Sequence, residues 1–324
     1  MLVLAGDIGG TTTRLCLVET DNQEIIDREQ YPSGNEGLVP LVQNFLGRKG
    51  LKPAKACLAV AGFVSNNKCK ITNLPWPELD GEKLPAELNI DRVTLINDFV
   101  AVGYNIVLEK NKSLETLQLG EYNQDSPIAI FGAGTGLGKA YAIPQGGSYE
   151  VFASEGGHAN FAPYAYDEES LELLAYLGKN GTVDIEQLVS GLGIVNIFRF
   201  LCAKDGNKNA DAFLGDLERD KQAEAVAKSA EQGDVICQKT MEMFAEAYGA
   251  AAGDMALSLL PFGGLYIAGG IAAKNVELMK KGGFMKQFKN KARVASLLEK
   301  VPVHIVLNEL EGLTGAVKYA VSKM

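Results

Sequence analysis

The chain has 324 residues, 47% of them hydrophobic and 22% charged, with a formal net charge of −9. That length suits two packed units, since single cores stop growing near ~250–300 residues, and the composition is that of a soluble globular enzyme. The acidic balance, with no Lys/Arg block to offset it, argues against nucleic acid and anionic membrane as partners, and no apolar run reaches the ~20 residues of a membrane span.

In chain order, Met1-Leu2-Val3-Leu4-Ala5 lacks a basic start and runs straight into the turn Gly6-Asp7-Ile8-Gly9-Gly10-Thr11. It reads as a first core strand, not a signal peptide. Strand-like runs follow at 14–19, 56–61 and 92–96, with a weaker one at 68–71 and a helical segment near 37–48. Sequential strands at the start suggest a hairpin meander, with 56–61 and 92–96 added to the same sheet. The run Ile96-Asn97-Asp98-Phe99 closes a strand and opens a helix-compatible segment. The polar interval 109–125 reads as a crossover to a second unit, which opens with Ile128-Ala129-Ile130-Phe131 and a second turn, Gly132-Ala133-Gly134-Thr135-Gly136-Leu137-Gly138. Helices are expected at about 167–178, 184–204, 209–232 and 234–260. The last is rich in Ala and Met, with Ile236, Met243, Ala247 and Ala250 on one side, as in a central packing helix. A strand at 265–268 ends in Gly269-Gly270 and leads into a helix; a strand at 303–307 precedes a final helix at 313–323.

The two glycine turns share a design. Neither contains Gly-Lys-Ser/Thr, and each is followed by a run alternating at period two, whereas a Walker loop or a dinucleotide fingerprint leads into a helix. They are glycine-rich hairpins whose backbone N–H groups and threonine hydroxyls can converge, and concave sets of amides bind anions. One such hairpin serves equally well as a tight turn. Two with matching Gly-Thr content argue for a phosphate chain gripped from both sides.

Cys16, Cys57, Cys69, Cys202 and Cys237 are odd in number, form no C-x-x-C pair and sit mostly in apolar runs, as buried thiols of a reducing cytoplasm do. With only His158 and His304, a histidine-rich metal site is excluded. Asp7 either caps its turn or, beside a phosphate-binding hairpin, holds Mg2+ directly or through water. Asn97-Asp98 either caps a helix or presents a carboxylate that accepts a proton from a substrate hydroxyl; the two readings are compatible. In Glu155-Gly156-Gly157-His158 the glycines bring the backbone close to a ligand, while Glu and His offer acceptors and a donor suited to a polyol. Asn160 and Pro163 add polarity and stiffness. Glu186, near a helix start, is explained by the helix dipole alone. Gly269-Gly270 reads as a helix-entry turn or as a backbone shelf for a flat base.

The order of these motifs resembles that of bacterial glucokinases of the type lacking zinc, within the sugar-kinase and actin-like ATPase superfamily, over almost the whole chain. It runs through G-D-I-G-G-T at 6–11, T-N-L-P-W at 72–76, I-N-D-F at 96–99, G-A-G-T-G-L-G at 132–138, E-G-G-H-A-N-F-A-P at 155–163, E-Q-L-V-S-G at 186–191, I-A-G-G-I at 267–271 and G-L-T-G at 312–315. The chain departs from the neighbouring zinc-containing repressor/kinase family. Nothing like C-x-C-G-x-x-G-C follows His158, and no helix-turn-helix precedes the first strand. The run Ala61-Gly62-Phe63-Val64 also differs from the small, proline-bearing turn often found there.

The resemblance implies an α/β fold of two domains in the actin-like ATPase (ribonuclease H-like) class. A smaller α/β domain, 1–108 completed by a C-terminal helix at about 310–324, would face a larger helix-rich domain, 109–309, across a cleft that closes on the sugar. It implies ATP and Mg2+, glucose as the small-molecule substrate, a cytoplasmic location and a homodimer. Asp98 would be the base on the sugar 6-hydroxyl, with Asn97, Glu155, His158 and Glu186 also binding glucose. The turn Gly6, Asp7, Ile8, Gly9, Gly10, Thr11 and the residues Gly134, Thr135, Gly136 would face the ATP phosphates, Asp7 would serve Mg2+, and Gly269-Gly270 would lie near the adenosine. Two other readings remain: the same fold acting on another hexose or amino sugar, and an actin-like ATPase without a small-molecule acceptor, which would need no polyol site.

Overall fold

The computed structural model describes residues 1–21, 24–48, 50–71, 74–109, 113–165, 167–206, 209–308 and 311–324; Thr72 and Asn73 of the 72–76 motif lie outside them. The chain divides into two compact units. One comprises Met1–Lys112, Tyr149–Ala153 and Leu310–Met324; the other comprises Ser113–Ser148 and Ser154–Glu309.

The first unit is built on a five-stranded sheet in the order Glu24–Pro32, Thr12–Glu19, Leu2–Ile8, Lys55–Val60, Arg92–Asn97. The first three strands in sequence form an antiparallel meander, and Leu2–Ile8, Lys55–Val60 and Arg92–Asn97 run parallel. Alternate residues of Leu2–Ile8 go to opposite faces, as a strand requires. Leu4 and Ile8 pack with Leu15, Leu58 and Phe45 of the helix Leu38–Gly47, while Val3 and Ala5 pack with Cys57, Ala59, Leu313 and Ala316. Burial on both faces explains why these strands read as continuous apolar runs. On the second face the helices Asp98–Leu108 and Glu311–Ser322 meet so closely that a Cβ on Gly315 would stand 1.8 Å from the Ala101 carbonyl oxygen.

The strand Glu24–Pro32 was not expected. It is polar and largely exposed, with Ile25 and Ile26 facing solvent, so no period-two alternation of apolar residues marks it; pairing with Thr12–Glu19 makes it a strand. The opposite edge is closed by a side chain. Asn67 Nδ2 donates to the Val93 carbonyl at 3.0 Å, and the Leu95 amide donates to Asn67 Oδ1 at 2.8 Å, which blocks further strand addition along part of that edge.

The second unit carries strands in the order Leu137–Gln145, Ile128–Ala133, Leu265–Ala268, Val303–Val306, Leu114–Gln118. Ile128–Ala133 is wholly buried, antiparallel to Leu137–Gln145 and parallel to Leu265–Ala268. Leu114–Gln118 corrects the reading of 109–125 as a plain crossover: it is a half-exposed edge strand antiparallel to Val303–Val306. The helix Val235–Leu259 runs through the core, as expected at 234–260. Its glycines let the helix Gly283–Lys289 lie against it, since a Cβ on Gly249 would stand 2.0 Å from the Phe284 oxygen.

Two expected helices are broken. The segment 184–204 is a 3-10 turn, Ile185–Gln187, then a fresh helix, Gly191–Asp205, capped by Ser190, whose Oγ accepts from the Gly193 amide at 3.0 Å. The segment 209–232 is split at Gly215, at φ +52°, into Ala210–Leu214 and Arg219–Glu231. Apolar periodicity ran on across both breaks and concealed them. The single helix expected after Gly269-Gly270 is several, Gly270–Lys274, Val276–Lys280 and Gly283–Lys289 among them. All five cysteines are buried, and among the described residues no helix is long and apolar enough to cross a membrane.

Candidate active site

In the first unit the parallel strands end on one edge at Ile8, Val60 and Asn97, the edge of an α/β sheet where ligands bind. The first glycine turn starts there. Gly9 N–H donates to the Thr12 carbonyl at 2.9 Å, and Ser33 pins the turn from outside. Its amide donates to the Thr11 oxygen at 2.9 Å and its hydroxyl to the Gly9 oxygen at 2.7 Å, with Thr13 Oγ1 at 3.0 Å. The six residues of the motif are not equivalent. A Cβ on Gly6 would stand 2.8 Å from Leu58 Cδ2, so the glycine there serves sheet packing, and the Ile8 side chain is fully buried. Gly9 and Gly10 are partly exposed and Thr11 is exposed, so these three offer the open part of the turn.

Asp7 is held by a residue that sequence reasoning missed. Arg14 Nη1 donates to its Oδ2 at 3.1 Å, and the two face each other directly in the hairpin register. A hairpin closing at Gly9-Gly10-Thr11 fixes that register, so the pairing had a signal. Burial pushes the Asp7 carboxyl above its ordinary value, and the Arg14 cation opposes it. The other oxygen, Oδ1, lies 3.0 Å from where a Cβ on Gly312 would stand. A larger residue there would press on the carboxylate, so the G-L-T-G motif places one glycine against Asp7 and another, Gly315, against Ala101. Among the described residues no three His, Cys, Asp or Glu cluster around a metal. Asp7 is thus a single carboxylate, and one carboxylate would suit Mg2+ only where phosphates and water supply the other ligands.

Of the two readings of Asn97-Asp98, the structure shows the helix cap. Asn97 is the cap: its Oδ1 accepts from the Phe99 amide at 2.9 Å and the Val100 amide at 3.3 Å. Its Nδ2 donates to Asp98 Oδ1 at 2.9 Å and to the Gly62 carbonyl at 3.1 Å. Asp98 is the first helical residue and also takes the Phe99 amide on Oδ1 at 3.0 Å. Those donors orient the carboxylate and fix it at the strand edge.

The second unit gathers the remaining residues around Leu137, just past the second glycine turn. Glu186 Oε2 accepts the Leu137 amide at 2.8 Å and lies 2.6 Å from where a Cβ on Gly136 would stand. A Cβ on Gly157 would stand 2.3 Å from the Leu137 oxygen, so the Gly156-Gly157 pair is what lets the 155–158 segment lie on this strand. That segment is joined to 183–187 by Phe161 N–H on the Val183 oxygen and Ile185 N–H on the Ala159 oxygen, each 2.9 Å. Glu155, His158, Glu186 and Gly134–Gly136 therefore share one neighbourhood, with Glu155, His158 and Thr135 exposed. Sequence reading passed over Asp184. Its Oδ2 lies 3.0 Å from His158 Nδ1 while its Oδ1 accepts from the Gln187 amide at 3.1 Å. The Asp184 hydrogen bond holds the His158 pKa above its ordinary value. Gly269, at φ +87°, would carry a Cβ 2.6 Å from the Ala133 oxygen. It lies against the end of the strand that enters the second glycine turn, while Gly270 faces open space.

Two α/β units, each with a glycine-rich hairpin in its sheet, are built on the actin-like ATPase fold that sugar kinases share. The chain belongs to the glucokinase family, whose sequence profile matches residues 4–323. It is 47% identical over 336 aligned positions to the glucokinase of Trichormus variabilis, covering 97% of each chain. Among solved structures it is similar to the glucokinase of Balamuthia mandrillaris in complex with glucose, with a TM-score of 0.85 at 21% identity over 100% of this chain and 94% of that one. It also resembles a ROK family glucokinase of Streptomyces griseus in complex with glucose and AMPPNP, with a TM-score of 0.69 at 20% identity over 98% of each chain.

Proposed function

We propose that this protein transfers the terminal phosphoryl group of ATP to the 6-hydroxyl of D-glucose, giving glucose 6-phosphate and ADP. The observation that carries the reading is the Asn97-capped Asp98 carboxylate at the same sheet edge as the first glycine turn, in a chain 47% identical to a glucokinase. Glucose in the Balamuthia protein, and glucose with an ATP analogue in the Streptomyces one, support the choice of acceptor and donor.

Phosphoryl transfer passes through a loose transition state, so positioning and charge neutralisation provide most of the acceleration. Asp98 orients the hydroxyl and takes its proton, and Asn97 keeps that carboxylate in place. The open amides of Gly9, Gly10 and Thr11, and those of Gly134, Thr135 and Gly136, hold phosphate oxygens; Gly269-Gly270 carries the base. Asp7, backed by Arg14, would hold Mg2+ directly or through water, and a bound ion would supply charge neutralisation at the phosphates. Glu155, His158 and Glu186 receive sugar hydroxyls, with Asp184 setting the ring orientation of His158. We further propose that the enzyme works in the cytoplasm as a homodimer, for which light scattering should report twice the 34.7 kDa chain mass.

The test is ADP release measured across a panel of hexoses and amino sugars, with and without EDTA. Glucose should give the highest kcat/KM, and EDTA should abolish turnover. Faster turnover of another sugar would select that acceptor, and ADP release independent of any sugar would favour the acceptor-less ATPase. Glu155→Gln and His158→Ala should raise KM for glucose about tenfold or more and leave KM for ATP near its parent value, because uniform sugar contacts are lost. A shift in the ATP constant instead would move these residues to the nucleotide or to folding. Asp184→Asn should lower the His158 pKa in an NMR titration. A pKa raised in the folded state means the His158 contribution to stability is fully present below the unfolded value and is lost as pH rises through the folded one. The parent should therefore shed that stability at higher pH than the variant, and identical titrations would show that Asp184 does not act on the ring.

A further inference from the structure

The turn that departs from the usual small, proline-bearing sequence carries Phe63, a large aromatic side chain left 65% exposed. Isolated exposed aromatics need no explanation, but this one stands on a rigid turn at the ligand-binding edge of the sheet. Ala61 N–H donates to the Ile8 carbonyl at 3.0 Å, and Gly62 N–H to the Val60 carbonyl at 2.9 Å. The Gly62 carbonyl takes the Asn97 Nδ2 hydrogen bond at 3.1 Å. A Cβ on Gly62 would stand 3.0 Å from Cys69 Sγ and 3.3 Å from the Lys70 oxygen, so the turn packs closely on residues 69–70. Residues 61–62 thus tie together the ends of all three parallel strands, and the next residue holds a ring in solvent, one hydrogen bond removed from the residue that caps Asp98.

Resting on the reading of Asp98 as the base on a sugar hydroxyl, we propose that Phe63 is a specificity-determining residue that covers the apolar C–H face of the acceptor pyranose. A sugar presents hydroxyls at its rim and C–H groups on its faces. The Asn97-Asp98 pair addresses the rim, and an aromatic ring carried by the turn that Asn97 bonds removes the apolar face from water. Binding pockets commonly combine aromatic walls with a few polar groups that set orientation. The ring makes no hydrogen bond to the transferring oxygen, so it contributes to sugar affinity and not to the chemical step.

The experiment compares parent, Phe63→Ala, Phe63→Tyr and Phe63→Trp. Phe63→Ala should raise KM for glucose about tenfold, the scale of burying part of one aromatic face, with kcat and the ATP constant within about twofold of the parent. Phe63→Tyr should keep the parent KM. Phe63→Trp adds a reporter at the proposed contact: its emission should shift on adding glucose without ATP, beyond the response of the parent, whose single Trp76 is buried in the core. A Phe63→Ala KM within about twofold of the parent, or Phe63→Trp emission indifferent to a saturating sugar, overturns the proposal while leaving the glucokinase reading intact. If the parent prefers another hexose, a tenfold KM rise for that sugar still supports the contact. If ADP release ignores every sugar, both readings fall together.

Discussion

Asp98→Asn should lower kcat by about 10²-fold or more while glucose still binds with near-parent affinity. The amide keeps the size of the carboxylate and can still face Asn97 and the Phe99 amide, the partners of Oδ1. It cannot take the hydroxyl proton, and general-base assistance is worth roughly 10²–10⁴-fold. Because the helix cap is Asn97, the variant should fold with an unchanged melting temperature, which separates loss of a base from loss of a cap. Asn97→Ala supplies the converse: it removes the cap and should cost about 1 kcal/mol of stability together with a smaller loss of kcat. The measurements are steady-state kinetics, glucose binding by calorimetry and thermal melting of both variants. Turnover of Asp98→Asn within a few-fold of the parent would falsify the base assignment and leave Asp98 as a helix-start residue.

Glu311→Gln should stabilise the protein, and increasingly so as pH rises. Glu311 opens the helix Glu311–Ser322 yet is only 5% exposed, and its Oε1 is buried without a hydrogen-bond partner. Burial pushes its carboxyl up to about 8 from an ordinary 4.5. A carboxyl whose folded pKa lies above its unfolded one binds more protons folded than unfolded, so stability falls as pH rises between those values. At pH 4 the residue is neutral in both states and the variant should match the parent. Above pH 8 the parent carries the whole penalty, with a ceiling of about 5 kcal/mol from a shift of this size, offset in part by the favourable place of an anion at a helix start. Melting temperatures across pH 4–9 should therefore diverge, with Glu311→Gln higher by several degrees at the alkaline end. Parallel curves would show that the folded carboxylate finds compensation on ionising.

What the sequence determined by itself is what local chemistry controls. Glycine-rich turns between apolar runs give hairpins wherever period two continues on both sides, and both turns are of that kind. An Asn at the end of a buried strand, followed by a helix-compatible run, caps a helix, and Asn97 does so. Runs buried on both faces, such as Lys55–Val60 and Ile128–Ala133, announce themselves by apolar content alone. The tertiary structure decided what depends on partners distant in the chain. Glu186, unremarkable beside a helix start, is brought to the second glycine turn because its carboxylate accepts the Leu137 amide. Asp184 matters because 183–187 is zipped to 159–161, which brings it to His158. Gly312 matters because the last helix returns to the first strand and needs a residue without a side chain beside Asp7. The polar strand Glu24–Pro32 exists only because Thr12–Glu19 offers it a free edge. In each case the residue type permitted several conformations, and a hydrogen bond or a steric limit set by a remote segment selected one.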